Sequence, residues 1–159
     1  MSDTHTATAA VTDPASRLAR MRISSLGAVI MLIIQFILGI VYNLYGTAPT
    51  AHKSIGLFSS PVLALHVILG ILLIIAAIGQ LIRAIGTRHR LATWMSGLGL
   101  LGILAAFFAG VGFAGNGAAG ASLGMALAFA VSLAAYIVLV FALPSSLGPS
   151  SPASSSSTT

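Results

Sequence analysis

The chain has 159 residues, 57% hydrophobic and only 6% charged, with a formal net charge of +5 and a mean hydropathy of +1.05. A soluble domain carries about 25% charged residues, so a water-soluble fold is excluded, because nothing would cover the apolar surface. There is no cysteine, and the only carboxylates, Asp3 and Asp13, lie in the N-terminal arm; disulfides, thiolate metal sites, cysteine lipidation and carboxylate acid–base chemistry inside a membrane are therefore excluded.

Residues 1–22 open the chain. The first sixteen are small and polar, and Arg17, Arg20 and Arg22 close the segment as a basic flank. It is predicted to be a disordered cytoplasmic arm. The apolar run at 23–45 follows. It is longer than the roughly 7–15 residues of a signal-peptide core, so it reads as a retained first helix. A loop at 46–60 carries Pro49, His52, Lys53 and Gly56. The second helix is predicted over 61–85, with Pro61 in its first turn. The basic stretch Gly86-Thr87-Arg88-His89-Arg90-Leu91-Ala92 leads to a third helix over 93–113, opened by Trp94, a residue type that anchors at membrane interfaces. A short uncharged turn holds Asn116 between two glycines, and a fourth helix covers 120–143. Pro144 ends it, and the Ser/Pro-rich tail at 145–159 has no apolar face, which predicts disorder.

The expected fold is thus all-α: one domain at 23–144 with four transmembrane helices in an up-down bundle. All six arginines precede the first helix or lie near the loop between the second and third; Lys53 alone is on the other side. The positive-inside bias then places both termini in the cytoplasm of a bacterium, with the chain multi-pass in the plasma membrane. The arginines flank membrane segments and form no binding face, so nucleic acid is not an expected partner. The lipid bilayer is, together with membrane-protein partners or further copies of the chain.

Polar residues inside the apolar runs are few: Gln35 and Asn43 on helix one, His66 and Gln80 on helix two, Ser122 and Ser132 on helix four. Ionisable groups in lipid are costly and often functional. His66 lies about 8 Å in from Pro61, and Gln80 about 21 Å farther along the same face, too far to share its site. Counting inward puts Gly39, Phe107 or Phe108, and Met125 level with His66, with Tyr42 and Asn43 just above. Two readings of His66 follow. It bonds across helices, to Asn43 or a backbone carbonyl. Or it ligates a haem iron between helices, with Met125 or His52 as second ligand. A zinc site wants three or four ligands, and His52 with His66 supplies two.

Gly97-Leu98-Gly99-Leu100-Leu101-Gly102 matches the dinucleotide-binding spacing G-x-G-x-x-G, but it lies inside a membrane helix with no strand before it. Helix packing explains it, as it does the ladder Gly120, Gly124, Ala128 and Ser132 on helix four.

The runs Gln35-Phe36-Ile37-Leu38-Gly39, His52-Lys53-Ser54-Ile55-Gly56 and Leu65-His66-Val67-Ile68-Leu69-Gly70 together carry a resemblance. The layout resembles small uncharacterised bacterial four-helix membrane proteins, which are similar to b-type cytochrome bundles. It covers about 33–73. The resemblance implies a histidine early in helix four; this chain has Ala121-Ser122-Leu123-Gly124-Met125 there, which shifts haem ligation to Met125. Three functions remain. The first expectation is a non-catalytic integral membrane protein acting in assembly, partner binding or envelope maintenance, with no catalytic residues. The alternatives are a haem-b electron-transfer protein using His66, and a small transporter or channel subunit.

Overall fold

The computed structural model describes residues 14–47, 49–50 and 53–143. Four helices make up the fold: α1 (Pro14–Tyr45), α2 (Pro61–Gly86), α3 (Arg90–Asn116) and α4 (Ala119–Ala142). Each is long and apolar enough to cross a membrane. At about 1.5 Å per residue they are 36–48 Å long, against the roughly 30 Å of a bilayer's hydrocarbon core.

α1 begins earlier than the sequence predicts. The basic flank expected to belong to a disordered arm is helical, because Arg17, Leu18, Ala19, Arg20 and Met21 are all good helix formers. The turn is also tied down: Arg22 Nε donates to the carbonyl of Val140 at 2.8 Å, joining the start of α1 to the end of α4. Residues 1–13, and the tail expected at 145–159, lie outside the described residues.

The other helix ends follow local chemistry. Ser60 caps α2 by accepting from the Leu63 amide at 3.2 Å, and Pro61 sits in the first turn, where its missing N–H costs nothing. Thr87 Oγ1 donates back to the Ala84 carbonyl at 2.7 Å. Arg88 then takes a left-handed φ of 54°, and His89 Nδ1 caps α3 by accepting from the Ala92 amide at 3.3 Å. α3 stops at Gly117, whose φ of 66° only glycine adopts freely, with its N–H bonded to the Phe113 carbonyl at 2.7 Å. Asn116 Oδ1 accepts from the Ala118 amide at 2.9 Å, so this asparagine makes the turn into α4.

Each helix packs on its neighbours in the chain, and α4 closes the ring on α1; the diagonal pairs α1–α3 and α2–α4 do not approach. Cross-helix contacts run antiparallel. Ser24 meets Gln80 and Gln35 meets His66 between α1 and α2, while Phe36 stacks on Phe129 between α1 and α4. The result is an up-down bundle. One end carries the arginines. The other carries the loop at 46–60, which is pinned by the Ile55 amide to the Ala114 carbonyl at 2.9 Å.

The two halves of the bundle differ. Among the described residues, every buried one lies in the arginine half: at or before Leu32 on α1, from Leu73 on α2, at or before Ile103 on α3, from Ser132 onward on α4. Small residues let the helices close there. A Cβ on Gly99 would press on the Tyr136 ring, and one on Gly102 would overlap Ser132 Oγ. The glycine run of α3 and the small-residue ladder of α4 thus meet, but at Ala128 and Ser132; Gly120 faces open space. Around the ring, large apolar side chains point outward, Phe141 being 82% exposed and Trp94 70%. Such a surface suits lipid.

Candidate functional site

In the other half the helices enclose a cavity of about 310 Å³. Its floor is Leu32, Leu73, Ile103 and Ser132, one residue from each helix, and its mouth reaches Thr47, Pro49 and Leu57 of the long loop. The floor lies twelve or thirteen residues in from the helix ends at the loop side. That is about 19 Å, roughly the middle of a bilayer core.

The wall is mainly apolar. Phe36 and Phe129 stack with ring centroids 4.8 Å apart and planes 14° from parallel, and Phe107 lines the same cavity from α3. Glycines keep the space open at one level. A Cβ on Gly39 would lie 3.5 Å from His66 Cε1, and one on Gly110 would lie 3.4 Å from Met125 Sδ. A larger residue at either place would grow into the cavity.

Gln35 and His66 form a pair on this wall. Gln35 Nε2 donates to the backbone carbonyl of His66 at 2.8 Å. In α2 that carbonyl also serves its own helix, so the bond uses its second lone pair and costs α2 nothing. The pair is left half satisfied: Gln35 Oε1 and His66 Nδ1 are both enclosed and have no hydrogen-bond partner. The sequence suggests that His66 bonds to Asn43 or to a carbonyl. The imidazole lies against the backbone carbonyl of Gln35 on α1 and not against Asn43, and the histidine's own carbonyl takes the Gln35 amide.

His66 and Met125, paired as haem ligands in the sequence reading, do line the same cavity, from the diagonal helices α2 and α4. His52 lies outside the described residues. Phe107 lines the cavity, while Phe108 points outward and is 67% exposed. Gly70, Gly110 and Phe129 also belong to the wall and escape sequence reasoning. Gly110 is the same number of residues from the end of α3 as Gly39 is from the end of α1, and that match in depth is the signal that points to it.

Gln80 belongs elsewhere, as its distance from His66 predicts. It sits in the closed half within a directed chain of hydrogen bonds. Arg83 donates to Ser24, Ser24 donates to Gln80 Oε1 at 3.0 Å, Gln80 Nε2 donates to Ser25 at 2.7 Å, and Ser25 donates to the Met21 carbonyl at 2.9 Å. This chain holds α1 against α2.

The cavity's chemistry is narrow. Among the described residues no three His, Cys, Asp or Glu side chains come together to hold a metal ion. Ser132, the hydroxyl at the floor, donates to backbone carbonyls of Gly99 and Ala128, and no base adjoins it. The site can therefore bind and orient a molecule. Comparison of the chain with protein-family models, curated proteins and solved structures finds no match.

Proposed function

We propose that this chain is a multi-pass protein of a bacterial plasma membrane, with both termini in the cytoplasm, whose open half binds a small lipid-soluble molecule without transforming it. The observation that carries this reading is the cavity: about 310 Å³, apolar, kept open by glycines, closed at mid-depth by one residue from each helix. A cavity of roughly 150 Å³ lined by aliphatic and aromatic groups stays dry and takes a benzene ring. Twice that volume takes a substituted ring. The closed half beneath argues against a through pore. The orientation rests on the arginines, all at one end of the bundle.

Photolabelling tests the reading. A benzene derivative bearing a diazirine, added to the protein in nanodiscs, is expected to label peptides around Phe107 and Phe129. Ala106→Phe, which fills the cavity from its wall, should remove that labelling while leaving the helical content unchanged. Labelling confined to outward-facing residues, and the same in both proteins, would count against a binding cavity.

One observation favours a second reading. His66 and Met125 wall the same space, and Gly39 and Gly110 leave flat surfaces at that level. These two residues would hold a haem b, which supplies one-electron chemistry when bound. Against it stands size: a four-pyrrole macrocycle needs the helices to part further than a single ring does. A reduced-minus-oxidised spectrum of protein from haem-supplemented cells decides. An α-band lost in His66→Ala supports haem; a flat spectrum from fully folded protein rejects it.

A further inference from the structure

We infer that the molecule taken into this cavity is a ring bearing a free hydroxyl, a phenol or a quinol with an apolar substituent, and that Gln35 recognises the hydroxyl. The inference rests on the cavity being a binding site, as proposed above.

The orientation of the Gln35 amide is settled by its partner. Nε2 faces a backbone carbonyl, which can only accept, so the other end of the amide is the carbonyl oxygen. Oε1 is thus an acceptor and nothing else, and it is enclosed without a donor. The His66 imidazole lies beside it, against the Gln35 backbone carbonyl. The wall therefore offers one acceptor fixed in place. A hydroxyl is the smallest group that answers it, giving its proton to Gln35 Oε1. A quinone carbonyl, an ether or a hydrocarbon brings no proton and leaves Oε1 unsatisfied. An unmet buried polar group costs enough to weaken binding about tenfold or more.

Shape supplies the ring. The stacked Phe36 and Phe129, with Phe107, present flat apolar surface to the same cavity; at the floor Leu32, Leu73 and Ile103 offer no hydrogen bond, and the Ser132 hydroxyl is already given to the Gly99 and Ala128 carbonyls. Water also donates and accepts, but it would need two to four polar partners and leaves the apolar floor empty. A hydroxylated ring fills both parts.

The test uses three molecules of matched shape: 4-pentylphenol, 4-pentylanisole and pentylbenzene. Only the first donates a hydrogen bond. Each competes with the diazirine label for the full-length protein in phosphatidylcholine nanodiscs, with concentrations expressed per lipid. The phenol is expected to displace the label at about one-tenth the concentration the other two need. Gln35→Leu should bring the phenol into line with them, leaving the pentylbenzene curve where it was. If the phenol and the anisole compete equally in the wild-type protein, the hydroxyl inference falls and the cavity remains a binding site. A phenol preference that persists in Gln35→Leu also overturns it, since the hydroxyl then bonds elsewhere. If the label never enters and no compound competes, both the inference and the binding reading fall. The wild-type comparison needs no variant, so a poorly folding Gln35→Leu does not obscure the result.

Discussion

Adding one methyl group to Gly102 should open the closed half of the bundle. A Cβ there would overlap Ser132 Oγ and lie 2.8 Å from the Ala128 carbonyl oxygen and 3.3 Å from the Ser132 amide nitrogen. The serine hydroxyl can rotate away, but the backbone of α4 cannot. Ordinary contact begins at 3.4 Å, so α3 and α4 must part by about 0.6 Å. That separation stretches the bond from Ser132 to the Gly99 carbonyl, already 3.2 Å, and loosens Tyr136 on Gly99. Overpacking of this kind costs about 1–3 kcal/mol. Alanine returns up to about 1 kcal/mol of helix propensity. Gly102→Ala should therefore be up to about 2 kcal/mol less stable than the parent. The matched control is Gly79→Ala on α2, where nothing stands within 4 Å of the new methyl; it should gain about 0.5–1 kcal/mol. Reversible unfolding in mixed micelles, followed by circular dichroism, compares the two. Equal stabilities for these chemically identical substitutions would refute the close-packed α3–α4 seam.

Gly124→Ala should gain about 0.5–1 kcal/mol in the same assay, as Gly79→Ala does, because its methyl would meet only Ala109 Cβ at 3.9 Å. The cysteine-free sequence suits topology mapping. Lys53→Cys should react with a membrane-impermeant maleimide in intact cells, and Arg88→Cys only after lysis; the reverse pattern would invert the proposed orientation.

The helices were legible because each apolar run exceeds what a bilayer needs, and because Ser60-Pro61, Asn116 and Gly117 punctuate them with known capping chemistry. The start of α1 was less so: Arg17, Arg20 and Arg22 read as a solvated flank, while the bond from Arg22 to Val140 depends on α4, 118 residues away in sequence. The level of His66 with Gly39 and Met125 followed from counting residues at a fixed rise. That the helices close in one half and part in the other did not. It arises from which small residues face which, Gly102 against Ser132 but Gly120 against nothing, and a helix with apolar residues all round gives no facing direction in its sequence.

Pairs of identical residues separate what holds the bundle together from what does not. Gln80 uses both ends of its amide, bonding Ser24 and Ser25; Gln35 uses one end and leaves Oε1 orphaned. His89 spends its Nδ1 on the first turn of α3, while His66 spends Nδ1 on nothing. Away from water, an interhelical hydrogen bond contributes about 0.6 kcal/mol, and an unmet polar group costs about 1–3 kcal/mol. Gln80→Leu should thus destabilise the bundle by about 1 kcal/mol, from its two lost bonds and the serines left behind. Gln35→Leu should do the opposite, sacrificing one bond and removing an orphan, for a gain of about 1 kcal/mol. Equilibrium unfolding of both variants, measured side by side, gives the two signs. If both destabilise, Gln35 is a second structural clamp and the hydroxyl partner is unnecessary. If the signs differ, the fold carries at Gln35 a polar group that weakens it, on a cavity wall where leucine would serve stability better, as a site kept for a ligand's donor predicts.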